Sequence, residues 1–145
     1  MEELIVAFSV SASLIAACLY LHFKALRNGA LTISKLGASV RRQMLLVMRM
    51  IFLTHLLEII IFAIAIWGMA RIGAGSLSGA HTSTVADFFY FSIASYTTLG
   101  IGDITPEGPI RVLVGIEALT GLLLIAWRAS VTYLTMERIW TPETN

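Results

Sequence analysis

Three long apolar stretches, separated by polar or glycine-rich segments, set the plan of this chain. Leu4 to Phe23 is an uncharged run of about 20 residues, the length that spans the hydrocarbon core of a bilayer. The segment His22 to Arg42 is polar, carries Lys24, Arg27, Lys35, Arg41 and Arg42 without an acid, and contains Gly29 and Gly37. It reads as a solvated connector interrupted at its glycines. Residues 43–70 form the second apolar span, with Arg49 placed to snorkel to one interface and Trp67 to anchor at the other. Residues 109–135 form the third, opened by Pro109 in a first helical turn. Between the second and third spans lie a small-residue loop over 71–83, with Gly73, Gly75 and Gly79, and a short aromatic segment ending at Tyr96. That segment is too short to cross a membrane. Its start carries a capping-box spacing, Thr84 with Asp87 three residues later, and Asp87 suits the positive end of the helix dipole.

The composition agrees with a membrane protein. The chain is 57% hydrophobic and 13% charged, against about 25% charged residues in soluble domains. A net charge of +1 and the lack of a basic patch give no footprint for nucleic acid. The single cysteine, Cys18, excludes an intrachain disulfide and reads as a small packing residue. The acidic start Met1-Glu2-Glu3 is unlike a signal peptide.

The chemistry is concentrated in Thr97-Thr98-Leu99-Gly100-Ile101-Gly102-Asp103, hung between apolar helices. Irregular backbone at membrane depth is tolerated where protein buries it or water lines it. Glycine alternating with ordinary residues allows successive carbonyls to turn the same way, and four such rows around an axis would replace the water shell of a dehydrated cation.

This loop resembles the selectivity filter of potassium channels, whose usual pattern is Thr-Val-Gly-Tyr-Gly-Asp. The matching residues are Thr98, Leu99, Gly100, Ile101, Gly102 and Asp103, and the resemblance extends over roughly residues 84 to 135. Ile101 stands where tyrosine is commonest. The resemblance implies an all-α membrane protein with three transmembrane helices, a re-entrant pore helix and a filter loop, assembled as a homotetramer in a lipid bilayer. The first 40 residues lie outside the resemblance, and hydropathy and charge set them apart as a first unit over 1–42, ahead of a potassium-channel-like pore domain over 43–138 and a short tail over 139–145. The pore domain divides into an outer helix (43–70), a pore helix (84–97), a filter (98–103) and an inner helix (109–135). The resemblance implies potassium ions at the carbonyls of Thr98, Leu99, Gly100 and Ile101 and at the Thr98 hydroxyl, with no catalysis and no cofactor besides the ions. Gly102 completes the filter. Asp103 and Glu107 would form acidic rings at the outer mouth, and Tyr90, Phe91 and Thr97 would support the filter. Gly121 is either a gating hinge or a close-packing position. Ser130, Tyr133 and Leu134 are candidates for an inner constriction.

Three ionisable residues fall inside the spans. His55 and Glu58, three apart, share a helix face and read either as a relay or as a hydrogen-bonded pair between helices. Glu117 lies about 12 Å into the third helix at 1.5 Å per residue. It either braces the filter as a neutral acid through Ser95 or Thr97, or pairs with His55 or Glu58. Arg128 reads as marking the inner end of that helix.

Charge gives an independent check on topology. With the filter facing outward, Lys24, Arg27, Lys35, Arg41, Arg42, Arg49, Arg128 and Arg138 fall inside, leaving Arg71 and Arg111 outside, eight against two. The expected placement is a cell (inner) membrane, N-terminus outside and C-terminus cytoplasmic. Two other readings remain at this level: a weakly selective monovalent cation channel, for which Ile101 is the warrant, and a non-conducting or regulatory membrane subunit of a larger transporter.

Overall fold

The computed structural model describes residues 1–35, 39–79, 82 and 84–140. The elements run α1 (Glu2–Lys35), α2 (Val40–Arg71), β1 (Ser76–Gly79), α3 (Val85–Tyr96), β2 (Ile104–Glu107) and α4 (Ile110–Trp140). Three helices, α1, α2 and α4, are long and apolar enough to cross a membrane. The protein is therefore a helical membrane protein.

The first helix corrects the sequence reading. Residues 24–35 continue α1 instead of forming a connector, and at 1.5 Å per residue the helix is about 50 Å long, well beyond the hydrocarbon thickness. Gly29 does not interrupt it. That glycine is buried, and a Cβ there would reach the Met50 side chain at ordinary contact distance. The buried positions Ala7, Ser11, Cys18, His22 and Gly29 recur at heptad-like spacing and form one stripe. Most of that stripe is small, which lets helix backbones approach in lipid, where packing rather than water release drives association. Through it α1 packs on α2 and α4. The reading made for Gly37 falls on residues outside those described, and His81 of the 71–83 loop lies outside them too.

On α4 the stripe Leu113, Glu117, Thr120, Gly121, Leu124 and Arg128 is buried, a helical period that turns one face to the other helices. The opposite face, including Leu119, Leu122, Leu123, Ala126, Ser130 and Tyr133, is exposed. Phe62, Ile66 and Met69 of α2, Phe88, Phe91 and Tyr96 of α3, and Ile110 and Leu113 of α4 form the core at the centre of the bundle.

A feature absent from the sequence reading closes one end. The segments 76–79 and 104–107 pair as a two-stranded antiparallel ribbon, with Ser76 opposite Glu107 and Gly79 opposite Ile104. Pro106 is accommodated because both strands are edges. The ribbon ties the chain before α3 to the chain after the Thr97–Asp103 loop, so the ends of that excursion are held together.

Candidate functional site

The short helix α3 aims the loop. Its capping box is complete: the Asp87 amide donates to the Thr84 hydroxyl at 3.3 Å, and the Thr84 amide donates to Asp87 Oδ2 at 2.8 Å. The helix ends at Tyr96, and the chain folds back on its last turn. Thr98 N–H donates to the Ser95 carbonyl at 2.9 Å, and Gly100 N–H to the Ala94 carbonyl at 3.1 Å. The Thr97 hydroxyl donates to the Ile93 carbonyl at 2.7 Å.

Beyond this hook the backbone alternates in handedness. Thr98, Gly100 and Gly102 have φ of 58°, 52° and 87°, while Leu99 and Ile101 between them have negative φ. A Cβ on Gly100 would meet nothing within 4 Å in the single chain, so it is the backbone angle, not space, that calls for glycine there. Leu99 is 66% and Ile101 55% exposed. These two apolar side chains are more than half uncovered by their own chain.

Two contacts secure the far side of the loop. Tyr90 donates from its hydroxyl to Asp103 Oδ2 at 2.9 Å, and Asp103 Oδ1 accepts from the Ile104 amide at 3.0 Å. The hydrogen bond to the neighbouring carboxylate raises the Tyr90 phenol above its ordinary range, so the phenol keeps its proton as pH rises through neutral and gives it up in alkali. Phe91 is buried in the core, and Glu107 is exposed on the ribbon.

Glu117 lies against the middle of α3, but its partner is Ser92, which the sequence reading did not name. The Ser92 hydroxyl is within hydrogen-bond distance of both Glu117 Oε1 and the Ile59 carbonyl, the latter at 2.9 Å. A hydroxyl has one hydrogen and a carbonyl can only accept. Both contacts are full hydrogen bonds only when Glu117 supplies the second hydrogen, as a neutral acid. Ser95, Thr97, His55 and Glu58, the partners expected from sequence, form no hydrogen bond with it. Gly121, one turn further along α4, faces the Tyr96 backbone. A Cβ there would collide with the Tyr96 carbonyl, so this close approach requires glycine.

His55 and Glu58 belong to a larger buried cluster joining four helices. Glu58 Oε1 lies 3.3 Å from His22 Nδ1, and Oε2 lies 3.0 Å from His55 Nδ1. Tyr96 donates from its hydroxyl to Glu58 Oε2 at 2.6 Å, and His55 Nδ1 also lies 3.0 Å from that hydroxyl. Arg128 Nε donates to His22 Nε2 at 3.0 Å. Arg128 does not mark the end of α4, which runs on to Trp140; it is 3% exposed and bonded to α1. His22, Tyr96 and Arg128 were missed as a group because each comes from a different helix. Their one signal was a polar residue inside or beside an apolar run. Among the described residues no group of three His, Cys, Asp or Glu side chains is arranged to hold a metal ion.

Membrane-spanning helices around a short re-entrant helix, followed by a glycine-alternating loop, define a pore-loop membrane protein. The family model described as an ion channel matches residues 49–138, which cover most of α2 and all of α3, the loop and nearly all of α4. The chain belongs to this ion channel family, whose pore module is that of potassium channels. It is similar to the inward rectifier potassium channel Kirbac3.1 of Paramagnetospirillum magnetotacticum, with 29% identity over 120 residues. That match takes in 77% of this chain but 41% of the relative, so the chain spans about two fifths of that relative's length. No solved structure matches the chain.

Proposed function

We propose that this chain forms a passive, homotetrameric, potassium-selective channel. Potassium would bind the carbonyls of Thr98, Leu99, Gly100 and Ile101, with the Thr98 hydroxyl at the inner end. The observation that carries this reading is the alternating handedness at Thr98, Gly100 and Gly102, which suits a row of carbonyls turned to one side. One row cannot enclose an ion, and four-fold closure supplies the rest. The exposed Leu99 and Ile101 fit the same assembly, because neighbouring chains would cover them. The similarity to a potassium channel supports the choice of ion.

The exposed α4 face with Leu119, Leu122, Leu123 and Ala126 then turns to the axis and to adjacent subunits, with Ser130 and Tyr133 toward its inner end. Asp103 and Glu107 sit at the outer mouth, where acidic rings raise the local cation concentration. The charge asymmetry favours an N-terminus outside and a C-terminus in the cytoplasm.

A weakly selective monovalent cation channel is the second reading. Ile101 favours it, since its side chain cannot hydrogen-bond to a neighbouring pore helix. Flux into proteoliposomes separates the two. Potassium entry without sodium entry, blocked by barium, from a particle with the mass of four chains, is the expected result. Equal entry of both ions would favour the second reading, and a monomeric particle would remove both.

A further inference from the structure

We propose that Glu58 is the positioning residue for the base of the ion-binding loop, and that α1 serves the pore by holding Glu58 through His22. The inference rests on the loop at 98–102 being the selective site.

Tyr96 is the last residue of α3 and directly precedes Thr97 and Thr98. It is fully buried and fixed at both ends. Its hydroxyl donates to Glu58 on α2, and its backbone carbonyl is packed against Gly121 on α4. A shift of the Tyr96 ring would reach the Thr98 carbonyl through a single intervening residue. Carbonyl sites discriminate between cations by the number and placement of their oxygens, so placement here bears on selectivity.

The Glu58 carboxylate is fully buried and held from three directions. Donors from α1, α2 and α3 converge on its two oxygens: His22 on Oε1, and His55 and Tyr96 on Oε2. The direction of each bond follows from the chemistry of the next group. Arg128 can only donate, so His22 Nε2 must accept. The hydrogen of the neutral ring is then on Nδ1, the nitrogen facing Glu58. Trp127 stacks on the same imidazole with centroids 5.1 Å apart and planes 25° apart, fixing the ring's orientation. A neutral histidine thus links the Glu58 carboxylate to the Arg128 guanidinium, so each buried charge has a hydrogen-bonded route to its opposite. Helix α1 lies outside the matched segment 49–138, yet it supplies the central member of this chain.

Two substitutions at His22 separate its two bonds. His22→Asn keeps an N–H where Nδ1 faces Glu58 and lacks an acceptor for Arg128. His22→Gln can accept from Arg128 and places no donor at the Nδ1 position. The measurement is the potassium-to-sodium permeability ratio from bi-ionic reversal potentials, on variants whose assembled mass equals that of the unmodified protein. Tyr96→Phe, Glu58→Gln and His22→Gln are expected to lower the ratio about tenfold, the equilibrium factor of one charge-assisted hydrogen bond, while His22→Asn keeps it within about twofold. Should Glu58→Gln fail to assemble, Tyr96→Phe decides, since it removes one oxygen and keeps the ring. A selective unmodified protein whose ratio is unmoved by Tyr96→Phe overturns the proposal and leaves the channel reading intact. An unmodified protein that does not distinguish potassium from sodium overturns the selective-site reading, and the proposal with it.

Discussion

The Thr97–Asp103 loop and the cluster around Glu58 adjoin at Tyr96, yet they are built on opposite terms. The loop takes left-handed backbone at three of its residues and leaves Leu99 and Ile101 uncovered. The cluster draws side chains from four helices of the same chain and buries His22, Glu58, Tyr96 and Arg128. In the proposed tetramer other copies would complete the first region, whereas the second is built within one chain. The proposed carbonyl site would take ligands from several chains, so its own chain cannot finish it. Its foundation would then have to be rigid before assembly, and hydrogen-bonded buried side chains provide fixed directions as well as contact.

The comparison predicts where substitutions act. The largest effect is expected at the loop glycines. An L-residue in left-handed backbone costs about 1–2 kcal/mol, and in the proposed tetramer the cost recurs in every subunit. Gly100→Ala and Gly102→Ala should abolish selective potassium flux while leaving the thermal stability of the separate chain nearly unchanged. Loss of folded chain in detergent would show instead that the loop is part of the subunit core.

Gly121→Ala should do the reverse. The added methyl collides with the Tyr96 backbone, so α4 must move away from α3. Overpacking of this kind costs about 1–3 kcal/mol, and a thermal melt of the purified chain should fall measurably before any test of conduction. An unchanged melting temperature would mean that the helices separate freely here, as a hinge requires.

The Glu117 series is expected to be milder and depends on hydrogen count. Glu117→Gln can still donate to Ser92 and should conduct like the unmodified protein. Glu117→Leu leaves the Ser92 hydroxyl to the Ile59 carbonyl alone and should cost about 1 kcal/mol in the melt. Abolished flux in a correctly assembled Glu117→Gln channel would show that the acid works as an anion. The smallest effect is expected from Tyr90→Phe, which removes an exposed bond to Asp103 and should change flux by less than about threefold at neutral pH. A larger loss would place the outer end of the loop under tighter control than its exposure suggests.

Much of this arrangement is legible in the sequence. The three apolar runs announced three spanning helices, and Thr84 with Asp87 announced the start of α3, because both signals are local. The end of α1 was not legible. Residues 24–35 carry charges and a glycine, which suggested a solvated connector. A helix that leaves the bilayer keeps its backbone bonds while its side chains meet water, so hydropathy falls where the helix does not end. The ribbon between 76–79 and 104–107 was invisible for a different reason: four residues such as Ser-Leu-Ser-Gly have no strand pattern until a distant partner pairs with them. His55 and Glu58 were legible as a pair because they lie on one helix. His22, Tyr96 and Arg128 were not, since burial of a polar residue by three other helices leaves no local trace. Glu117 was placed at the right depth, but helix rotation, which sequence does not fix, selected Ser92 over Ser95.

The most direct test of the central claim is the bi-ionic reversal potential of the purified protein in a planar bilayer, with potassium on one side and sodium at equal concentration on the other. The account predicts a reversal potential displaced strongly in the direction of potassium selectivity. A reversal near zero millivolts, with channel openings present, would contradict it.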